Sequence, residues 1–528
     1  MLRKHALPRL LLALLLLVPC ADAKKPPKLK KRPLSARIEE ILAQPDVARG
    51  FWGMQVVSLK SGKTLYARSA DQLFTPASNT KLFTSAAALA LIGGYYKFRT
   101  TVETAGSIDK YGRLTGDLAL VGRGDPNLSG RTLPFNVRTE RGPSPVKVLE
   151  DLADQLVRKG LKYVDGDVVG DDSWYAFERY GEGWSQDDLA WWWGAPVSAL
   201  SLNDNVVFVT ILPADRPGDK AFIGISPFAD SFSIDNRILT TPAGTPRKIE
   251  INRQPGSNLV TFWGNIPQDD PGERLSLAIE DPASFAAQIF RQLLEQRGVV
   301  IYGRARTRHT ELANLSTIRV TAMAPAAGGG GERTPGPSVP QPLVLGQYES
   351  QPLVEDLKVT NKVSQNLHAE LLLRLLGRER GSSGTVQAGL EALYGFLTQA
   401  GVQRQECVLY DGSGLSRQNL VSPAAVVKLL RYAASQPWYQ AYRDTLPVSG
   451  VDGSLSERFR NSPAHGRLTA KTGSLGHVNA LSGYAQTATG DTVVFSIISN
   501  NHNLQGRKAV ETIDRIVEQI VDDAPAPK

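Results

Sequence analysis

Residues 75–84, TPASNTKLFT, place a serine and a lysine three positions apart at the start of an apolar segment. The same spacing recurs twice elsewhere in the chain, at Ser107/Lys110 and Ser144/Lys147. Only the first pair precedes a run of good helix formers, LFTSAAALALIG, and residues three apart on a helix are neighbours. Lys81 could therefore reach the Ser78 hydroxyl, and a serine beside a base is a candidate nucleophile. The alternative is a helix-capping serine followed by a solvated lysine.

Two downstream segments also carry residues with chemical capacity. In NKVSQNLHAELLLRLLG, Ser364 and Asn366 stand just before an apolar-periodic helix, and helix capping would explain this pattern equally well. Lys471-Thr472-Gly473 occurs once, within RLTAKTGSL, which is predicted to be a strand. The triplet could simply mark a strand end, whereas Gly473 would also let another backbone approach closely.

Taken in order, the three segments form a known signature. Ser-x-x-Lys, Ser-Asp-Asn and Lys-Thr-Gly mark penicillin-binding proteins and class A β-lactamases, and here Gln365 replaces the aspartate. With GRGDPNLS, GAPVSALSLNDN, YDGSGLSRQN and AKTGSLGHVNALSGY, the sequence resembles the class C penicillin-binding proteins, D-alanyl-D-alanine carboxypeptidases and endopeptidases of the DacB type. The resemblance covers nearly the whole mature chain. It includes the large insertion before the Ser-x-Asn segment, which is a hallmark of that family and absent from β-lactamases.

This resemblance implies roles for the polar residues. Ser78 would attack the carbonyl between two D-alanines, with Lys81 as a base kept neutral by burial and by neighbouring positive charge. Ser364 would relay a proton toward the departing D-alanine. Asn366 would position Lys81 and a substrate amide. The expected product is an acyl-enzyme that water then hydrolyses.

The resemblance also implies how the substrate is bound. Lys471 would supply positive charge near the relay and near the terminal carboxylate, and Thr472 would bind that carboxylate through its hydroxyl. Gly473 belongs to the same substrate-binding strand. The oxyanion hole would consist of the backbone N–H groups of Ser78 and Ser474. The sequence contains no helix-borne metal motif, P-loop or dinucleotide fingerprint, so neither a metal nor a cofactor is predicted.

Two charged residues are candidates for recognising the far end of a diaminopimelate side chain, which is both cationic and anionic. By resemblance these are Arg417 and Asp188, although Asp187 adjoins the latter and a simple surface charge is the alternative. Trp193 occupies the place of an aromatic wall. The run of three tryptophans that contains it could equally be a packing feature.

Composition excludes one class of function. The net charge is +8 over 528 residues. Residues 1–23 contribute +2 and residues 24–32 contribute +6, so the remainder is balanced and lacks the basic footprint of a nucleic-acid binder. Residues 24–33 are predicted to be a flexible basic tether, with contact to an anionic envelope surface as the alternative.

The first 23 residues have the layout of a secretory signal. Arg3, Lys4 and Arg9 precede LLLALLLLV, and a small-residue ADA site precedes Lys24. We therefore expect export to the periplasm or cell envelope and no transmembrane segment in the mature chain. Lipidation of Cys20 is the alternative to its removal with the signal.

The order of predicted elements indicates an α+β catalytic domain of the penicillin-binding type interrupted by a mainly β insertion. The catalytic parts are predicted at 34–99 and 343–528. The insertion is predicted at 100–323, with a nested subdomain near 205–295 and one helical run, SFAAQIFRQLLEQRG. The Gly/Pro-rich segment 324–342 is predicted to be a linker.

The leading hypothesis is therefore an exported serine peptidase that trims peptidoglycan stem peptides and cross-links and is acylated by β-lactam antibiotics. A β-lactamase is a second hypothesis, disfavoured by the insertion. A non-catalytic wall-binding protein is a third, disfavoured by the intact set of polar residues. The balance between carboxypeptidase and endopeptidase activity, the host's stem residue and the oligomeric state stay open at this point.

Overall fold

The computed structural model describes residues 32–136, 141–230, 232–313, 342–381, 383–505 and 507–522. The predicted signal peptide, most of the tether and all but the last residue of the predicted linker lie outside these residues. No helix in these ranges is long and apolar enough to cross a membrane.

Helices occur along most of the described chain. In chain order they are α1 (Leu34–Leu42), α2 (Thr80–Leu91), α3 (Lys147–Arg158), α4 (Pro282–Glu295), α5 (Leu353–Lys358), α6 (Asn366–Arg380), α7 (Val386–Gln399), α8 (Pro423–Ala434), α9 (Tyr439–Thr445) and α10 (Lys508–Val521). Two short irregular helices matter for the site, a 3-10 turn at Ala77–Asn79 and a wide π-type turn at Val359–Val363.

The strands are mostly short outside the catalytic sheet. In chain order they are β1 (Phe51–Ser58), β2 (Thr64–Arg68), β3 (Arg99–Thr104), β4 (Ser107–Ile108), β5 (Arg113–Thr115), β6 (Leu118–Val121), β7 (Tyr163–Val164), β8 (Val168–Ala176), β9 (Val206–Leu212), β10 (Phe222–Ser226), β11 (Ser233–Thr241), β12 (Lys248–Asn252), β13 (Leu259–Pro267), β14 (Glu273–Ala278), β15 (Val300–Ile301), β16 (Ala305–Thr310), β17 (Leu343–Glu349), β18 (Cys407–Val408), β19 (Leu420–Val421), β20 (Leu468–Leu475), β21 (Val478–Gln486) and β22 (Thr492–Asn500).

Both ends of the described chain build one antiparallel sheet of order β2-β1-β22-β21-β20. Alternate residues of these strands face opposite sides. One side packs on the amphipathic α1 and α10, and the other packs on α2 and the helices α6 to α8. The predicted α+β fold is confirmed.

The serine helix α2 runs through the second of these cores. Ten of its twelve residues are buried, because small and apolar side chains surround it on every side. A polar side chain at its first turn is therefore enclosed by protein and not by water.

The inserted part is richer in sheet than in helix. A five-stranded sheet of order β16-β8-β6-β3-β17 adjoins a four-stranded one of order β15-β7-β5-β4. Two three-stranded sheets, β10-β9-β14 and β11-β13-β12, lie within 206–278 and share one buried core with the larger sheets of the insertion. Helix α4 follows that region and packs on β8, β16 and α3. The nested strands therefore end before α4, earlier than the expected limit near 295.

The structure differs from the sequence prediction at two places in this region. Strand β17, expected in the catalytic part, pairs antiparallel with β3 in the sheet of the insertion. Helix α3 makes a second helix where one was predicted. Its apolar side chains recur with helical spacing and are buried, at Val148, Leu149, Leu152, Ala153 and Leu156. The helical spacing of apolar residues in α3 was visible in the sequence. The β3–β17 pairing was not, because it joins strands that are far apart in the chain and local residue patterns do not specify such pairs.

Candidate active site

The Ser-x-x-Lys segment begins at a sharp backbone turn. Ala77 has a positive φ of 48°, Ser78 follows in the 3-10 turn, and Lys81 lies in the first turn of α2. The lysine side chain is completely buried. This burial excludes the alternative in which Lys81 is a solvated charge.

Three polar atoms surround the amine of Lys81. Its Nζ lies 2.9 Å from Ser78 Oγ, 2.6 Å from Asn366 Oδ1 and 2.7 Å from the carbonyl oxygen of Ser413. Burial lowers the pKa of Lys81 to about 7, although the negative charges of Asp411 and Glu370 oppose this shift. A neutral amine has two N–H bonds and one lone pair. The two carbonyl oxygens can take both N–H bonds, which leaves the lone pair to accept the Ser78 hydroxyl proton.

The Ser413 carbonyl is held in place by buried carboxylates. Glu370 of α6 accepts the backbone N–H groups of Gly412 at 3.0 Å and Ser413 at 2.9 Å. Asp411 accepts the N–H of Gly414 at 2.8 Å. Burial also raises the pKa of Glu370 to about 7. The sequence analysis missed Ser413 and Glu370, and the available signal was an acid inside the apolar helical run NLHAELLL.

The Ser-x-Asn segment leaves the π-type turn in an unusual conformation. Ser364 has a positive φ of 67°, and its Oγ accepts a hydrogen bond from Lys471 Nζ at 2.7 Å. Asn366 starts α6 but does not cap it. Its Oδ1 faces Lys81, and its Nδ2 donates to the carbonyl oxygen of Trp193 at 2.8 Å. The helix-capping interpretation of both residues is therefore excluded.

Lys471 is the second buried lysine of the site. Besides Ser364 it donates to the carbonyl oxygen of Thr472 at 2.8 Å. Burial, reinforced by the proximity of Lys81, lowers the pKa of Lys471 well below its usual value. The positive charge that the sequence analysis assigned to Lys471 is therefore disfavoured in the free protein.

Gly473 stands where strand β20 meets the serine turn. A Cβ atom on Gly473 would lie 2.7 Å from the carbonyl oxygen of Pro76 and 3.2 Å from the backbone nitrogen of Ser78. Only glycine permits this approach without displacement of the backbone. The adjoining side chains are fixed by neighbours, Thr472 by Ser454 at 2.7 Å and Ser474 by Asn479 at 3.1 Å.

The three predicted recognition residues are in mutual contact. Asp188 accepts hydrogen bonds from Arg417 Nη1 at 2.8 Å and from Trp193 Nε1 at 3.0 Å. The Arg417 side chain is 46% exposed and that of Asp188 is 15% exposed. Trp191 stacks on Trp193 with ring centroids 5.3 Å apart. Without a ligand, the opposite charges thus pair with each other and do not stand on two sides of an open pocket.

A serine next to a buried neutral lysine, faced by a second serine–lysine pair, defines the site of a penicillin-binding serine acyl-enzyme. The sequence profile of the D-Ala-D-Ala carboxypeptidase 3 (S13) family matches residues 34–322 and 334–520. The chain belongs to this family.

Individual relatives agree with that assignment. The chain is 33% identical to a D-alanyl-D-alanine carboxypeptidase of Actinomadura sp., over 90% of this chain and 82% of the relative. It is 26% identical to the D-alanyl-D-alanine carboxypeptidase DacB of Haemophilus influenzae, over 81% and 80%. The crystal structure of penicillin binding protein 4 (dacB) from Haemophilus influenzae superposes with a TM-score of 0.77 at 23% identity, covering 92% of this chain and 99% of that chain.

The close approach at Gly473 generates a first prediction. In Gly473→Ala the added methyl group should push β20 away from the serine turn and disturb the oxyanion hole. Loss of one such donor costs about 10²–10³ in rate, so we expect acylation by a labelled penicillin to slow on that order. Gly476→Ala is the matched control, because its Cβ would meet nothing within 4 Å. Equal acylation rates for the two variants would show that the close approach at Gly473 does not support the oxyanion hole.

The protonation state of Lys81 generates a second prediction. The neutral fraction of Lys81 rises as pH rises through its pKa of about 7, so the acylation rate should rise with pH around that value. Asn366→Asp places a negative charge against Lys81 and should move the midpoint upward by roughly 1–3 pH units. The control is Asn461→Asp, at an exposed position. A pH-independent rate, or an unmoved midpoint in Asn366→Asp, would show that Lys81 is not the base.

Proposed function

We propose that this chain is an exported peptidase that removes the terminal D-alanine from peptidoglycan stem peptides and opens cross-links at the same bond, through an acyl-enzyme on Ser78. The observation that carries this proposal is the hydrogen bonding of Lys81. Two carbonyl acceptors use the N–H bonds of the amine and leave its lone pair for Ser78. The nucleophile and its base are therefore aligned before substrate binds.

Acylation begins with transfer of the Ser78 hydroxyl proton to Lys81 Nζ. The serine oxygen bonds to the carbonyl carbon of the penultimate D-alanine, and the resulting oxyanion accepts the N–H groups of Ser78 and Ser474. The C–N bond then breaks, and the leaving amine receives a proton through Ser364 and Lys471. The proton that Lys81 took from Ser78 replaces the one that Ser364 and Lys471 give up, so Lys81 is neutral again before deacylation.

Deacylation uses the same groups in reverse. Lys81 takes a proton from a water molecule, whose oxygen attacks the ester carbonyl. The tetrahedral intermediate is again stabilised by the two backbone N–H groups, and its collapse returns a proton to Ser78 Oγ. The products are a shortened stem peptide and free enzyme.

The substrate carboxylate completes the charge balance of the site. Lys471 is disfavoured as a cation in the free protein, whereas a bound terminal carboxylate beside Lys471 and Thr472 would favour its protonated form. Penicillin carries a carboxylate and a strained amide in a similar relation, so we expect it to occupy the same groups. Substrate and drug would thus each bring a negative charge that stabilises the protonated form of Lys471.

Recognition of the stem residue is assigned to Asp188 and Arg417. A free diaminopimelate end has an ammonium and a carboxylate, so it can replace one protein ion pair by two ion pairs to the ligand. An exposed ion pair contributes only about 0–1 kcal/mol, so its exchange costs little. Trp193, bound to Asp188, would form the wall beside this end.

Localisation in the cell envelope is part of the proposal. Residues 1–23 have the layout of a secretory signal, and residues 24–33 would tether the enzyme. Peptidoglycan lies outside the cytoplasm, so the proposed substrate and the proposed export agree.

The nucleophile assignment is tested with a labelled penicillin. We expect the intact mass of the protein to rise by one drug molecule, and Ser78→Ala to remain unlabelled. Ser107→Ala, in an exposed copy of the Ser-x-x-Lys spacing, is the matched control and should label normally. Labelling of Ser78→Ala would refute the assignment. Rapid release of hydrolysed drug would instead support the β-lactamase alternative, and absence of D-alanine release from purified muropeptides would support a non-catalytic role.

The recognition assignment is tested by Arg417→Ala and Asp188→Ala. Loss of one charge pair to the ligand should lower kcat/KM for peptides with a free diaminopimelate end by roughly tenfold to a hundredfold, or about 1.4–2.7 kcal/mol. Acylation by penicillin, which has no diaminopimelate end, should change little. Arg460→Ala removes another exposed arginine ion pair and serves as the control. Equal losses toward peptide and penicillin in Arg417→Ala would mean that Arg417 supports the fold or the catalytic centre.

A further inference from the structure

The inserted part contacts the Ser-x-Asn segment at two separate hydrogen bonds. The Trp193 carbonyl oxygen accepts from Asn366 Nδ2 at 2.8 Å, and Asp204 Oδ2 accepts from Gln365 Nε2 at 3.1 Å. Both acceptors belong to the segment GAPVSALSLNDN or its immediate neighbour. The Gln365 side chain, at the position where the signature has aspartate, thus has a partner in the insertion.

Asp204 is anchored on several sides. Its carboxylate accepts hydrogen bonds from Arg131, from Arg141 Nη2 at 2.6 Å and from the ring of His368 at 3.3 Å. The carboxylate is almost fully buried, so these partners are needed to offset the cost of taking its charge out of water. This multiple anchoring fixes the oxygen that Gln365 binds.

The backbone around Asp204 is also constrained. Asn203, Asp204 and Asn205 have positive φ angles of 51°, 57° and 56°. Asparagine and aspartate tolerate this conformation best among residues other than glycine, which explains the sequence Asn-Asp-Asn. The Asn205 side chain secures the turn by donating to the Pro196 carbonyl at 2.8 Å and accepting from the Leu202 N–H at 3.0 Å. Strained backbone of this kind persists only where its surroundings enforce it.

His368 extends the network into the catalytic part. It lies on α6 within three residues of Gln365, and its Nδ1 is 2.7 Å from Asp356 Oδ1. Burial would lower the pKa of His368, but the carboxylates of Asp356 and Asp204 outweigh it and raise the pKa. Asn127 of the insertion donates to the same Asp356 oxygen at 2.9 Å. The insertion is therefore bound to α5 and α6 through a continuous buried network.

The conformation of Ser364 explains why this network matters for catalysis. Ser364 is left-handed and sits between the π-type turn and α6, so no regular helix fixes its side chain. Gln365 follows in an extended conformation, with its side chain buried and its Oε1 without a partner among the described residues. A buried glutamine that leaves one acceptor unsatisfied is costly, and its bond to Asp204 is what offsets that cost.

We infer that Asp204 is a positioning residue for the reaction: by binding Gln365, it holds Ser364 and Asn366 against Lys471 and Lys81. The inserted domain is accordingly required for the chemical step itself. Asp204 touches no reacting atom in this assignment. The inference rests on the proposed function, since it assigns a consequence to the proton relay through Ser364.

The test uses Gln365→Met, which keeps the length of the side chain and removes the donor. A displaced relay serine should lower kcat for D-Ala-D-Ala peptide by about tenfold to a hundredfold, because a misplacement near 1 Å can cost on the order of 10². KM should stay within about twofold, because the carboxylate-binding groups are unchanged. Asp204→Leu should show the same kcat loss together with a lower Tm, because leucine is close to aspartate in size and offers no acceptor to Gln365. The double variant should be no slower than Asp204→Leu, because both changes remove the same hydrogen bond.

Asp172→Leu provides the matched control. Asp172 is also buried in the insertion and also binds a histidine, with its Oδ1 2.7 Å from His309 Nδ1 and its Oδ2 accepting from Ser198. Among the described residues, Asp172 makes no hydrogen bond or ion pair with the three signature segments, so Asp172→Leu should lower Tm and leave kcat nearly unchanged.

Two results would overturn the inference. One is an unchanged kcat in Gln365→Met, and the other is an equal kcat loss in Asp172→Leu and Asp204→Leu. Failure of the proposed function is distinguishable from both, because the unaltered protein would then not be acylated by labelled penicillin at Ser78.

Discussion

The buried amine of Lys81 is the constraint on which the rest of the site depends. A polar group without hydrogen bonds in an apolar interior costs several kcal/mol, of order 2–7 by transfer measurements, so the fold must bring acceptors to it. The two carbonyl acceptors come from Asn366 and Ser413, which are far apart in sequence. Packing of α2 against α6 and against the turn around Ser413 therefore serves stability and chemistry at once, since the same burial lowers the pKa of the amine to about 7.

Each acceptor has its own support. The Ser413 carbonyl is oriented by Glu370, which binds the neighbouring backbone N–H groups. The Asn366 amide is oriented by the Trp193 carbonyl, because an amide that donates through Nδ2 must present Oδ1 to Lys81. Trp193, which orients the Asn366 amide, belongs to the insertion. The inserted domain thus fixes which way the catalytic asparagine faces, in addition to carrying the residues assigned to substrate recognition.

The sequence predicted the side chains of this site better than their supports. The three signature segments identified Ser78, Lys81, Ser364, Asn366 and Lys471. The structure brings them into two neighbouring hydrogen-bonded groups, Ser78–Lys81–Asn366 and Ser364–Lys471. The Ser413 carbonyl was missed because every residue has a backbone carbonyl, so the residue type does not show that this one binds Lys81. The β3–β17 pairing was missed for a related reason, since strand order depends on distant contacts. The close approach at Gly473 was foreseen because glycine is the visible trace of a backbone contact.

Lys81 and Lys471 have different hydrogen-bond partners, and this difference is consistent with different roles for the two lysines. Lys81 faces two carbonyl oxygens and the Ser78 hydroxyl, so its neutral form fits its surroundings without a ligand. Lys471 faces a hydroxyl and one carbonyl, which satisfy fewer of the three N–H bonds that a protonated lysine offers. A bound carboxylate would supply both the missing acceptor and the compensating charge. We therefore expect a preference for substrates with a free terminal carboxylate, because that carboxylate would stabilise a proton on Lys471.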